Sequence, residues 1–257
     1  MPRVLHFTDA HLRCNQPGSA SDSLRLSRQM PDMLGRLASR IAKLQPDVVV
    51  MTGDFLDVPD DVLDGVPADG RSLEVWRAEI EADFRIYHDW FESLSVPYLG
   101  VPGNHDDVEA FRRVFDDPPL VNDIAGMRFF SFWDSLGPDR QPRRAGDQRD
   151  LYDAALTADE HATPQIHLQH YMIDPPIHAK GWNYEYKGAA EMKQSMETSG
   201  RVRAVLSGHH HPGSLATGAG GLIHSLPPAF CEAPHPFRVY DIGEVGVISV
   251  RDFKLQD

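Results

Sequence analysis

The sequence predicts an α/β fold built on mixed sheets, and three observations lead there. Short apolar runs alternate with segments whose apolar residues recur every three or four positions, the signature of strands alternating with amphipathic helices. The last forty residues turn to strands, so the sheet is mixed rather than purely parallel. Polar residues of one chemical kind collect where the predicted strands end.

In chain order, Val4–Phe7 reads as the first buried strand, followed by strands at Asp47–Thr52, Tyr98–Val101, Arg128–Phe132, Gln165–Gln169 and Arg203–Ser207. Between the first two, Met30, Met33, Leu34, Leu37, Ile41 and Leu44 mark one face of a helix. A second helix carries Leu73, Trp76, Ile80, Phe84, Tyr87, Phe91 and Leu94. A third starts near Asp106–Asp107, where carboxylates suit a helix N-terminus, and runs to about Phe115. A fourth spans Gly188–Ser199. The closing strands are Leu222–His224, Phe237–Ile242 and Val245–Asp252. Three stretches look irregular: 55–70, with five aspartates that read as a solvated surface loop; 133–150, with four arginines and four aspartates; and 171–187.

A 257-residue chain can bury a full core, and we expect residues 1–257 to form one domain. The net charge of −13 argues against nucleic acid and anionic membranes as partners, because phosphate contacts need lysine and arginine density. Two cysteines, Cys14 and Cys231, cannot make a disulfide framework. With no signal-peptide pattern at the N-terminus and no long apolar run, this predicts a soluble, cytoplasmic protein.

The strand ends carry the chemistry. Asp9-Ala10-His11 follows the first strand, Gly53-Asp54 the second, Gly103-Asn104-His105-Asp106 the third, His170 the fifth and Gly208-His209-His210-His211 the sixth. Ligands of open α/β sheets bind beyond the carboxyl ends of the strands, so these clusters should converge. Aspartate, asparagine and histidine supply the oxygen and imidazole donors that divalent first-row metals accept. Alone, a D-x-H is as readily a turn or helix cap, and a Gly-Asp weaker still. Five such clusters in this order make the signal. His6 and His167 read as strand histidines of the core, His167 facing away from His170 because it lies three positions, an odd offset, before it.

The series D-x-H, G-D, G-N-H-D, H, G-H-x-H resembles the calcineurin-like metallophosphoesterase superfamily over residues 9 to 211. That resemblance implies a four-layer α/β/β/α sandwich with a dinuclear centre of two divalent metal ions (Mn, Fe or Zn). Asp9, His11, Asp54 and His211 would hold one ion. Asp54, Asn104, His170 and His209 would hold the other, with Asp54 bridging. His210 falls at the family's variable position. A bridging hydroxide would attack phosphorus, and His105, oriented by Asp106, would protonate the leaving oxygen as general acid. Asp57 stands where purple acid phosphatases place a tyrosine, which excludes that subgroup. The segments T-D-x-H-L, T-G-D-x-x-D and P-G-N-H-D look most like the bacterial phosphodiesterase branch, which acts on cyclic nucleotides and glycerophosphodiesters. A small phosphoester substrate is therefore expected, with diesters favoured and monoesters left open as substrates. The alternatives are an SbcD-type nuclease, which the acidic charge disfavours, and a non-catalytic scaffold, which typically lacks the histidine present here as His105.

Loops should decide the substrate. In segment 171–187, Trp182 and Tyr184, with Tyr186, His178 and Lys180 nearby, are candidates to stack a nucleobase or else to pack the loop onto the sheet. Arg140, Arg143, Arg144 and Arg149 can touch a phosphate, but the nearby aspartates make structural ion pairs an equal expectation.

Overall fold

The computed structural model describes residues 2–20, 22–176, 185–243 and 245–256. Its strands are β1 (Arg3–Phe7), β2 (Val48–Thr52), β3 (Tyr98–Val101), β4 (Val121–Ile124), β5 (Met127–Ser131), β6 (Ser135–Leu136), β7 (Pro142–Arg143), β8 (Gln165–Leu168), β9 (Val202–Leu206), β10 (Ser214–Thr217), β11 (Ile223–Leu226), β12 (Pro236–Ile242) and β13 (Val247–Lys254). Its helices are α1 (Met30–Leu44), α2 (Asp60–Leu63), α3 (Leu73–Glu92), α4 (Val108–Val114), α5 (Asp147–Thr157) and α6 (Ala189–Ser199).

Two mixed sheets stack face to face. One has the order β13-β12-β1-β2-β3, the other β10-β11-β9-β8-β5-β4. Within each, the inner strands run parallel: β1-β2-β3 in the first, β11-β9-β8-β5 in the second. Antiparallel strands flank them.

Alternation along each strand builds the layers. Leu5, Phe7, Val49 and Met51 face Met33, Leu34 and Leu37 of α1 and Ile80, Phe84 and Tyr87 of α3. Their neighbours Val4, Val48 and Val50 face the opposite way, against Phe129, Ile166, Leu168 and Leu206 of the second sheet. The far side of that sheet, through Phe130 and Val205, packs on Tyr152 and Leu156 of α5 and Met192 and Met196 of α6. Strands buried on both faces must be apolar at nearly every position, which is why VVVMT reads as a continuous run. The result is the expected α/β/β/α sandwich. His6 lies between the sheets, bonded to Thr52 Oγ1 at 2.7 Å, and His167 lies on the helix side among Phe130, Phe132 and Tyr152.

The irregular stretches are more ordered than the sequence suggests. Residues 55–58 are fully buried and 60–63 form α2, so a solvated loop 55–70 is incorrect over its first half. The segment 133–150 holds the β6–β7 hairpin and the first turn of α5. The buried face of α5 is narrow, Tyr152, Ala155 and Leu156 with Leu151 at its margin among charged residues, which hid the helix in the sequence. All four arginines of 133–150 make ion pairs: Arg144 with Asp134, both side chains wholly buried, Arg143 with Asp139, Arg149 with Asp153 and Arg140 with Asp60.

Candidate metal centre

The loops that leave β1, β2, β3, β8 and β9 are stitched together by their own backbones. Asp9, His11 and Leu12 donate N–H bonds to the carbonyls of Gly53, Asp54 and Phe55 at 3.1, 2.9 and 2.8 Å. Gly208 N–H bonds the His170 carbonyl at 2.8 Å. Asp106 ties the second loop to the third, its carboxylate accepting from Phe55, Leu56 and Gly103 N–H at 3.1, 2.9 and 2.8 Å. Gly103 is required for this approach, because a Cβ there would overlap Asp54 Oδ1. Asp9, His11, Asp54 and His209 adopt positive φ angles of 52°, 47°, 50° and 77°. Non-glycine residues held there cost about 1–3 kcal/mol each, and such strain gathers at functional sites.

The side chains so placed form two groups that share one oxygen. Asp54 Oδ1 accepts the His105 N–H at 2.9 Å. Its Oδ2 is left facing His11 Nε2 and His170 Nε2, each 3.5 Å away. On the His11 side, His211 Nε2 lies 3.1 Å from His11 Nε2 and 3.9 Å from Asp9 Oδ1. On the His170 side, Asn104 Oδ1 lies 3.0 Å from His170 Nε2, and a ring nitrogen of His209 completes a cluster with Asp54 and His170. The structure thus brings together Asp9, His11, Asp54, Asn104, His170, His209 and His211.

These residues fit a pair of cations. His211 Nδ1 is 2.6 Å from Glu232 Oε1, and His170 Nδ1 donates to the Thr52 carbonyl at 2.8 Å. With those nitrogens carrying hydrogen, the Nε2 lone pairs point at His11 Nε2 on one side and at Asn104 Oδ1 on the other. Acceptors confronting acceptors at 3 Å repel unless a cation or proton lies between them. Outer partners of this kind fix the tautomer of metal-binding histidines.

The charges agree. Burial pushes His11 down to about 4, against the pull of Asp57 and Asp54, and drives His209 well below its usual value. Both imidazoles are therefore neutral and able to donate. Burial alone would lower His170 too, but the Asp54 carboxylate outweighs it and raises His170 to about 9. Asp54 itself is held well below the usual carboxylate range despite its burial, chiefly by His170 and His105. A proton on His170 stands where a cation would.

One placement departs from expectation. Asp106 does not orient His105. Its carboxylate is committed to three backbone N–H groups, and burial with the nearby Asp54 charge raises it to about 7. The His105 ring instead has Nδ1 3.4 Å from the Val58 carbonyl. Tyr186 is buried in the helix-side core, and Trp182 and Tyr184 lie outside the described residues. Sequence reasoning also missed the outer partners Glu232 and Asp57. Asp57 is buried, 3.5 Å from His11 Nδ1 and 2.6 Å from Arg25 Nη1. Asp57 showed no signal beyond its place three residues after Asp54, and Glu232 follows no strand end.

Above the cluster opens a cleft of ≈ 440 Å³, with Arg25, His105, His209 and His210 among its walls. Residues 2–213 match the family model described as calcineurin-like phosphoesterase, and the chain belongs to that family. It is 27% identical over 216 residues to a protein of Synechococcus sp. described as a probable cyclic nucleotide phosphodiesterase, covering 81% of this chain and 72% of that one. A second protein with the same description, from Rhodococcus erythropolis, is 24% identical over 84% of this chain and 67% of its own. Among solved structures, a dimetal phosphatase from Danio rerio superposes with a TM-score of 0.70 at 15% identity over the whole of both chains, a likeness of fold.

Proposed function

We propose that the protein is a dinuclear metal-dependent phosphodiesterase acting on small diesters, with cyclic nucleotides and glycerophosphodiesters as the favoured classes. The observation that carries this reading is Asp54 Oδ2, equidistant at 3.5 Å from a histidine of each group, the arrangement a bridging carboxylate requires. Two divalent ions held there would polarise phosphoryl oxygens and make water a nucleophile at neutral pH.

The chain's own residues supply the rest. Asp9, His11, Asp54 and His211 fix one position, and Asp54, Asn104, His170 and His209 the other. His105 is the proton donor to the departing alkoxide. Its Nδ1 faces the Val58 carbonyl, which steadies the protonated ring and leaves Nε2 as the nitrogen that transfers the proton. Arg25, at the cleft wall and paired with Asp57, adds positive charge where a diester anion enters. The open cleft suits a small substrate, and the names borne by the two bacterial relatives favour a nucleotide diester.

The test is a substrate panel on metal-loaded protein: bis-p-nitrophenyl phosphate, p-nitrophenyl phosphate, cyclic nucleotides, glycerophosphodiesters and single-stranded DNA. Turnover of the small diesters is expected. Cleavage of DNA with no activity on small diesters would replace this reading with a nuclease.

A further inference from the structure

The loop 227–235, which joins β11 to β12, is fastened to the Asp9 half of the cluster by three successive amides. Ala229 N–H donates to the His211 carbonyl at 2.9 Å, Phe230 N–H to that of Thr8 at 2.9 Å and Cys231 N–H to that of Asp9 at 3.0 Å. The Cys231 carbonyl accepts from Leu26 N–H at 2.9 Å, so the residue is fixed from both sides. The next side chain is Glu232, the partner of His211 Nδ1. Cys231 is fully buried. Its Sγ and one ring nitrogen each of His11 and His211 all lie within 4.8 Å of one another.

A buried free cysteine ordinarily packs as a small apolar side chain. Two observations set Cys231 apart. Its sulfur shares a space with two imidazole nitrogens rather than with methyl groups alone. One of those rings, His11, is itself fully buried, and its Nδ1 faces Asp57 Oδ1 at 3.5 Å, which leaves Nε2 turned toward His211 and the cluster.

We propose that Cys231 Sγ is a further, soft donor to the cation held by Asp9, His11, Asp54 and His211. The inference rests on the dinuclear reading above and makes the two halves chemically unequal. One offers oxygen, nitrogen and sulfur, and the other only oxygen and nitrogen. Binding breaks the S–H bond, releases the proton to solvent and forms a sulfur–metal bond, with no change of oxidation state. A thiolate favours Zn²⁺, Fe²⁺ or Co²⁺ over Mn²⁺, so the softer ion belongs beside Cys231 and the harder beside Asn104.

Titration of Co²⁺ into metal-free full-length protein separates this inference from the reading beneath it. Visible d–d bands report any occupied site, and a near-ultraviolet thiolate-to-cobalt charge-transfer band reports sulfur. Wild type and Cys14→Ser should show both, whereas Cys231→Ser should keep the d–d bands and lose the charge-transfer band. Chelator competition should find its Zn²⁺ affinity lowered about 10–100-fold. X-ray absorption of zinc-loaded wild type should find a sulfur at about 2.3 Å, a measurement that needs no variant to fold. In wild type, d–d bands without a charge-transfer band or sulfur scatterer would overturn the role of Cys231 and leave the metal centre standing. So would a charge-transfer band that persists in Cys231→Ser. Absence of d–d bands altogether would remove the centre itself.

Discussion

At the scale of single residues, His105 and His170 carry opposite burdens. His105 lines the cleft beside Asp54, with its ring Nδ1 3.4 Å from the Val58 carbonyl, and the role proposed for it is proton transfer. His105→Ala should retain its metals and lose about 10²–10⁴ in turnover on diesters with alkoxide leaving groups. With p-nitrophenolate, which departs unprotonated, the loss should be much smaller, and equal losses on both would show that His105 acts through geometry. His170 is protonated up to about pH 9 in the metal-free protein because Asp54 faces it. Its raised value stabilises that state fully below about pH 6.5 and ceases to do so as pH climbs through about 9. His11, depressed to about 4, acts in the other sense and withdraws stability as pH falls from 6.5 toward 4. The urea midpoint of chelator-treated protein should therefore peak between those limits and decline toward pH 9. A midpoint still rising at pH 9 would show that His170 is neutral. The seven metal-site candidates were legible in the sequence because each follows a strand end in a set order. Glu232, Asp57 and the Val58 carbonyl were not, since partners that act through space leave no spacing to read.

At the scale of elements, the site is a set of loops that hold each other. Asp106 is the clearest case: its sequence position beside His105 suggested an orienting partner, yet its three backbone bonds make it the tie between the loops after β2 and β3. Removing it in Asp106→Ala would strand the buried N–H groups of Phe55 and Leu56 at about 1–3 kcal/mol each and free the half-buried one of Gly103. The expected outcome is a lowered melting temperature together with weakened metal binding, as Asn104 and Asp54 drift apart. Unchanged stability with a selective loss of turnover would return Asp106 to the role of partner to His105. The same logic explains which elements the sequence hid. The edge strands β4 and β10 carry VNDI and SLAT and are half-exposed, so they lack the apolar runs that marked β1, β2 and β9. The helix α5 buries a narrow apolar face of Tyr152, Ala155 and Leu156 and exposes charged residues such as Arg149 and Asp153, so its periodicity is weak in the sequence.

For the whole molecule, the sandwich exists to bring five loops from two sheets to one place. β1, β2 and β3 of the first sheet supply Asp9, His11, Asp54 and Asn104, while β8 and β9 of the second supply His170, His209 and His211. Neither sheet alone can complete either group of candidate ligands, so the cluster forms only when the inter-sheet core of Val4, Val48, Val50, Ile166, Leu168 and Leu206 is packed. Among the described residues, no helix is long and apolar enough to cross a membrane. The central claim is that Asp54 joins two cation sites into one centre, and metal stoichiometry tests it most directly. Metal-free wild type titrated with Mn²⁺ or Zn²⁺ should bind two equivalents, with hydrolysis of bis-p-nitrophenyl phosphate appearing as the second is taken up. Asp54→Ala should lose high-affinity binding at both sites at once and be inactive. Full activity at one equivalent or in excess chelator, or an Asp54→Ala protein that still binds two ions tightly, would contradict the account.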